Sequence, residues 1–118
     1  MRNKEEERLQ VSCVSWFDYQ YPQFRQLLFA VPNGGSRNVI EAANLKKQGV
    51  RAGVSDLVFL YPSFRYSFLC IEFKTIKGKQ SDEQKHFETL IDGQTQGLYK
   101  IIRSFEEFKE IIEDHIIN

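Results

Sequence analysis

Apolar and polar positions follow two rhythms along the chain, and each rhythm predicts its own kind of element. Leu9, Cys13, Trp16 and Phe17 recur at helical spacing ahead of Pro22, which predicts a helix from Glu5 to about Gln20. Phe24 to Pro32 is apolar and runs into the breaker cluster Pro32-Asn33-Gly34-Gly35, so Leu27 to Val31 is expected to be a short strand entering a loop. Ser36 is placed to cap a second helix that reaches Gln48 and stops at Gly49. Leu57 to Tyr61 and Phe68 to Thr75 are β-rich runs on either side of Pro62 to Tyr66, the pattern of a hairpin. Ser81, with Gln84 three residues on, opens a third helix in a capping-box pattern that fades before Gly97. Leu98 to Arg103 reads as a further strand. Phe105, Phe108, Ile111 and Ile112 stripe a last helix whose acids face water. The expected order is helix, strand, helix, strand, strand, helix, strand, helix, an α/β fold with residues 1–118 as one domain.

The hairpin has a chemical consequence. With its turn centred on Phe64, Tyr61 faces Ser67 and Asp56 lies opposite Glu72. Opposed residues of an antiparallel pair share a face with Cβ atoms about 4.5–5.5 Å apart, and alternation puts Lys74 on that face as well. Two carboxylates and an ammonium then converge. Directly opposed like charges destabilise a sheet, so the pair calls for a cation or a raised pKa. A hard divalent ion is the simplest resolution, Mg2+ fitting one or two carboxylates better than zinc, which favours His and Cys. The plainer alternative is that Asp56 starts a strand while Glu72 and Lys74 form a solvent-facing ion pair. Val58 and Leu60 speak against it, because they mark the same face as partly covered.

Composition changes the picture less than its distribution does. The 118 residues hold 16 Lys+Arg and 16 Asp+Glu, for a formal net charge of zero. Between Val31 and Lys79, however, eight basic residues stand against three acids, whereas from Gln80 to Asn118 four stand against nine. A neutral total excludes a protein that coats polyanions by bulk charge. The basic middle is either ordinary solvated surface or one face for nucleic acid. Cys13 and Cys70 lie in apolar stretches and read as small buried hydrophobes of a reducing compartment, not as a disulfide framework or a metal knuckle. No apolar run approaches the ~20 residues of a membrane span, and the charged N-terminus has no signal-peptide core. A soluble, cytoplasmic protein without membrane contact is expected.

Glu6 adds a fourth chemical candidate. Glu6, Gln10, Cys13 and Phe17 fall on one helical stripe, so Glu6 either points inward or, like Glu5 and Glu7, simply complements the helix dipole. Asn33, Gly34 and Gly35 form either a plain turn or a loop able to approach a phosphate backbone closely, since glycine has no Cβ in the way.

Five ordered blocks then resemble a known family. They are Glu6-x-x-x-Gln10, Asn33-Gly34-Gly35-Ser36-Arg37 after Pro32, Gly49 through Asp56, Ile71-Glu72-Phe73-Lys74-Thr75, and Lys77-Gly78-Lys79 followed by Gln80-Ser81-Asp82-Glu83-Gln84. Together they resemble the virus-type replication-repair nuclease (VRR-NUC) domain of the PD-(D/E)XK nuclease superfamily, in its stand-alone phage or bacterial form. The resemblance runs from about Glu6 to Arg103. Ser55 stands where the family usually has Pro before the metal-binding Asp, and Asp82 where it usually has Pro after the helix-opening Ser.

The resemblance implies a restriction-endonuclease-like core with a mixed central sheet flanked by helices. It implies a DNA endonuclease dependent on Mg2+ or Mn2+, acting on branched or four-way-junction DNA, as a homodimer and in DNA repair. Asp56 and Glu72 would be metal ligands, joined by the Phe73 carbonyl, and Lys74 would orient or deprotonate the attacking water. Glu6 matches the family's acid on the N-terminal helix and Gln84 its glutamine beside the site. Asn33, Gly34, Gly35, Arg37, Lys46, Arg51, Lys77 and Lys79 would contact DNA. The alternative from another class is a non-catalytic nucleic-acid-binding module that keeps the nuclease fold. A sequence-specific restriction-type enzyme would need a recognition element that 118 residues leave little room for.

Overall fold

A computed structural model describes residues 3–32 and 38–118. Helix α1 (Lys4–Gln20) starts where the Asn3 side chain accepts the Glu5 amide at 2.7 Å, and three glutamates in its first turn suit the positive end of the helix dipole. A 3-10 helix (Pro22–Leu27) follows, then strand β1 (Leu28–Ala30). Here the expected strand from Leu27 to Val31 is corrected: proline at the first position turns Pro22–Leu27 helical, and only three residues remain to pair.

Helix α2 (Val39–Lys47) is capped by Asn38, whose side chain accepts the Glu41 amide at 2.8 Å. The expected Ser36 cap lies outside the described residues, and Asn38, equally good as a cap, sets the helix start two positions later than a Ser36 cap would place it. Strands β2 (Leu57–Phe59) and β3 (Leu69–Phe73) form the hairpin, α3 (Asp82–Gln94) carries the full Ser81/Gln84 capping box, and β4 (Leu98–Ile102) leads to α4 (Phe105–Ile117).

The sheet runs β1-β2-β3-β4. The first three strands are antiparallel, and β4 lies parallel to β3, as the α3 crossover between them requires. Leu57 pairs with Ile71 and Phe59 with Leu69, which is the register expected from the hairpin and places Asp56 next to Glu72 across the strands. Alternation then sorts each strand into two faces. Leu57, Phe59, Leu69, Ile71, Phe73 and Ile102 pack with Cys13 and Phe17 of α1 and Phe108 and Ile112 of α4. Val58, Cys70, Tyr99 and Ile101 turn the other way, toward Phe87 and Ile91 of α3. No helix among the described residues is long and apolar enough to cross a membrane.

Candidate active site

The site grows from the two strand ends that the hairpin brings together on the α3 face. Asp56 sits one residue before β2 and accepts the Phe73 amide through Oδ2 at 2.7 Å. Glu72, two residues short of the buried Lys74, accepts the Gln84 side-chain amide through Oε2 at 2.9 Å. Exposure is 9% for Asp56, 2% for Glu72 and 9% for Lys74, so all three charges are held out of bulk water. Burial of this kind is rare for surface ion pairs, and the plainer reading of Asp56 as a strand starter with a solvated Glu72/Lys74 pair does not describe these positions.

Local backbone features hold Asp56 in place. Gly53 has φ +85°, a conformation that favours glycine, and a Cβ there would lie 2.6 Å from the Glu83 backbone. The segment before Asp56 therefore packs directly on the first turn of α3. Ser55, fully buried, donates its hydroxyl to the Leu57 carbonyl at 3.1 Å, so a hydrogen bond steadies the position where a proline ring would otherwise do so. Ser55 also hydrogen-bonds the Cys70 thiol, whose pKa burial pushes up and this bond pulls back. Cys70 is thus a protonated filler of the face and not a thiolate ligand.

Gln84 does two things with one side chain. Its carbonyl oxygen accepts the Ser81 amide at 2.8 Å and its amide holds Glu72, so the device that starts α3 also orients a carboxylate of the site. Beyond it, Gln80 donates to Glu88 at 2.9 Å and to the Tyr99 hydroxyl at 3.3 Å. Burial pushes the Tyr99 pKa upward; the Gln80 hydrogen bond opposes this, while the charges of Glu72, Glu88 and Asp56 add to it. The phenol stays neutral and available as a hydrogen-bond partner.

Asp56, Glu72, Lys74 and Gln84 are brought together. The Phe73 amide points at Asp56, and because the N–H and C=O of one strand residue face the same neighbour, its carbonyl faces that side too. Glu6 is half-buried in the first turn of α1, and among the described residues no cluster of three or more Asp, Glu, His or Cys side chains forms that could hold a metal ion. One turn on from Glu6, Gln10 encloses its Oε1 without a hydrogen-bond partner. Lys46, Arg51, Lys77 and Lys79 are exposed, and Arg51 spends one guanidinium nitrogen on the Lys46 carbonyl at 3.2 Å. Asn33, Gly34, Gly35 and Arg37 lie outside the described residues.

One residue that sequence reasoning passed over stands at the edge of the site. Arg103 directs Nη1 at the carbonyls of Thr75, Ile76 and Gly78, at 2.6, 3.2 and 2.8 Å. A single arginine at a strand end carries no pattern, and only the parallel pairing of β3 with β4 puts it beside that turn.

The donor set suits a hard cation. Two buried carboxylates and a backbone carbonyl are oxygen ligands of the kind Mg2+ and Mn2+ take, with room for waters in the remaining positions. The histidines are elsewhere: His86 is exposed on α3, and His115 is buried on α4 against Phe59 with Nε2 2.6 Å from the Tyr61 carbonyl.

The family model described as the VRR-NUC domain matches residues 1–103. A solved structure described as a VRR_NUC domain protein superposes with a TM-score of 0.80 over 98% of this chain and 91% of its own, at 20% sequence identity. No curated protein matches the chain.

Proposed function

The chain belongs to the VRR-NUC domain family, and on that premise we propose that it is a nuclease hydrolysing phosphodiester bonds of DNA with a bound Mg2+ or Mn2+ ion. The observation that carries the reading is the burial of Asp56, Glu72 and Lys74 side by side at the strand ends, with one oxygen of each carboxylate fixed by a hydrogen bond. Buried charge is costly, and two carboxylates with one ammonium at the strand ends form a donor set that a divalent cation and a phosphate suit.

Asp56, Glu72 and the Phe73 carbonyl would hold the ion, which when bound supplies Lewis-acid polarisation of a phosphoryl oxygen and a more acidic water. The chain's own groups do the rest. Phe73 N–H and the Gln84 amide fix the two carboxylates in one orientation, so no reorganisation is needed when a phosphate arrives. Lys74 orients the attacking water or takes its proton, and its charge offsets that building on the phosphate. Lys77 and Lys79, exposed on the turn that follows, meet neighbouring phosphates.

The finer reading is a homodimer on branched DNA. A four-way junction needs two coordinated cuts in strands related by two-fold symmetry, and a two-fold dimer presents two such sites. One chain, 44 Å in its longest dimension, spans little more than one turn of duplex.

The test is cleavage of single-stranded, duplex, flap and four-way-junction DNA with Mg2+, Mn2+ or EDTA, alongside sedimentation of the protein alone. Divalent-dependent cutting that Lys74→Ala loses at saturating enzyme and Lys74→Arg does not restore supports the reading. Undiminished DNA binding with no cutting under any of these conditions identifies a binding module instead.

A further inference from the structure

The turn that follows Lys74 is built more firmly than a connection requires. It runs from Thr75 to Gly78, closed by the Gly78 amide on the Thr75 carbonyl at 3.1 Å. Arg103 reaches across from the end of β4 and binds three of its carbonyls through one nitrogen. That arginine is itself fixed, its own amide donating to Glu107 at 2.6 Å in the first turn of α4. A Cβ on Gly78 would meet Thr75 Oγ1 at 2.9 Å, so the turn is as tight as its backbone allows. On the far side Gln80 ties the chain to Glu88 and Tyr99 before the Ser81 cap.

This braced turn presents one apolar side chain to solvent. Ile76 is 78% exposed, with Lys77 and Lys79 exposed beside it. A single exposed isoleucine is ordinary on a protein surface. What distinguishes Ile76 is that its own carbonyl is held by Arg103, that it is stiff at χ1, and that it stands two residues beyond Lys74 between basic neighbours. Proteins that distort DNA use the same combination: an apolar wedge that enters a base step while adjacent cations hold the phosphates.

We infer that the Thr75–Gly78 turn reads the stacking of the DNA beside the cleaved bond, with Ile76 as the wedge, Lys77 and Lys79 on the flanking phosphates, and Arg103 as the positioning residue that keeps the wedge raised. The inference rests on the nuclease reading and deepens it by naming the residues that select the substrate. An apolar side chain enters an intact, stacked duplex only with difficulty and a weakened step easily. The favoured substrates are therefore duplexes with an interrupted stack, such as a nick, a flap or a branch point, and discrimination lies in the turn and not in base-edge contacts.

The experiment places 2-aminopurine at the step next to the branch of a flap duplex and reads its fluorescence on binding to protein with Asp56→Asn, which does not cut. The turn should raise the fluorescence. Ile76→Ser should abolish that rise, Arg103→Met should diminish it at an unfolding temperature recorded in parallel, and Phe64→Ser, an exposed aromatic at the opposite end of the strands, should leave it intact. In the cutting enzyme Ile76→Ser should lower the ratio of kcat/KM on flap to that on perfect duplex by about tenfold. Should Arg103→Met fail to fold, Arg103→Lys, which keeps the charge but ends one bond short of the Nη1 position, takes its place and should diminish the rise likewise. A fluorescence rise and a selectivity ratio both unchanged by Ile76→Ser overturn the wedge while leaving the nuclease reading intact. A rise that Ile76→Ser removes, in a protein that cuts no DNA, keeps the wedge and overturns the nuclease reading.

Discussion

The two faces of the sheet are made from the same strands and do opposite things. Toward α1 and α4, alternate residues of β2, β3 and β4 enter a continuous apolar core in which aromatic rings meet edge to face, Phe17 with Phe59 at 5.3 Å and Trp16 with Phe108 at 6.1 Å. Toward α3, the apolar cluster is small, and the rest of the face carries Asp56, Glu72 and Lys74, with Gln84 of α3 reaching Glu72. In β3 the division falls between neighbours: Leu69, Ile71 and Phe73 hold the fold together, while Cys70, Glu72 and, just beyond, Lys74 face the site. The difference teaches that apolar packing and buried charge are separated here by strand alternation, not by distance. The apolar face supplies the surplus that lets buried charge persist on the other.

The sharpest way to break this comparison is a change on the charged face that stops chemistry without loosening the fold. Asp56→Asn keeps an oxygen for the Phe73 amide and removes one of two facing negative charges. Cleavage should fall by about four orders of magnitude or more, while the urea midpoint stays level or rises. A cutting rate that survives the change in well-folded protein would remove Asp56 from the chemistry.

The converse change belongs on the opposite face. Phe108→Ala, at a fully buried ring beside Trp16 and Phe73, should cost about 3–5 kcal/mol of stability, with cutting per folded molecule preserved. Denaturant titration paired with active-site counting separates the two quantities. A loss of turnover in the folded fraction would mean that the faces are coupled.

Gln84 lies on the boundary, and its substitution sharpens the comparison. Gln84→Ala removes the capping-box partner and the hydrogen bond to Glu72 together, and should lower cutting about 10–100-fold and stability by about 1 kcal/mol. Gln84→Glu keeps the cap but sets a third carboxylate beside Glu72. It should therefore retain stability better than activity, and equal losses in both would make Gln84 a structural residue only.

The smallest expected effect is alkaline. Burial first, and then Glu106, push the Cys13 thiol from 9.0 up to about 12. A thiol kept neutral in the fold but free to ionise in the unfolded chain leaves stability untouched below pH 9 and lowers it as pH rises toward 12. The urea midpoint followed over that range should decline less steeply in Cys13→Ala, and identical slopes would discount the thiol.

Much of this division was legible in the sequence. The hairpin register could be read because apolar and polar residues alternate on both sides of a symmetric loop, and a slip by one would have exposed Ile71 and Phe73. The capping box at Ser81 and Gln84 is a local signal, and it appeared where expected. The 3-10 helix at Pro22–Leu27 was hidden because a short apolar run has no distinctive period, and the cap of α2 because Ser36 and Asn38 serve equally well by type. That Gln84 binds Glu72, and that Arg103 braces the turn beyond Lys74, depends on where α3 and β4 dock. No local pattern encodes such a long-range contact, and the family resemblance supplied Gln84 but not Arg103.

Phe73 and Lys74 donate their amides in opposite directions, the first to the Asp56 side chain across the hairpin and the second to the Ile102 carbonyl of β4. The two bonds belong to different moments of folding. A hairpin closes a short loop and pairs early, whereas β4 can join β3 only after the α3 crossover has been laid down between them. Asp56 and Glu72 therefore meet while solvent still screens their repulsion, and their burial is deferred until α3 docks. Pulse-labelled hydrogen exchange during refolding should protect the Phe73 amide before its neighbour at Lys74, and simultaneous protection would show that the acid pair is assembled and buried in a single step.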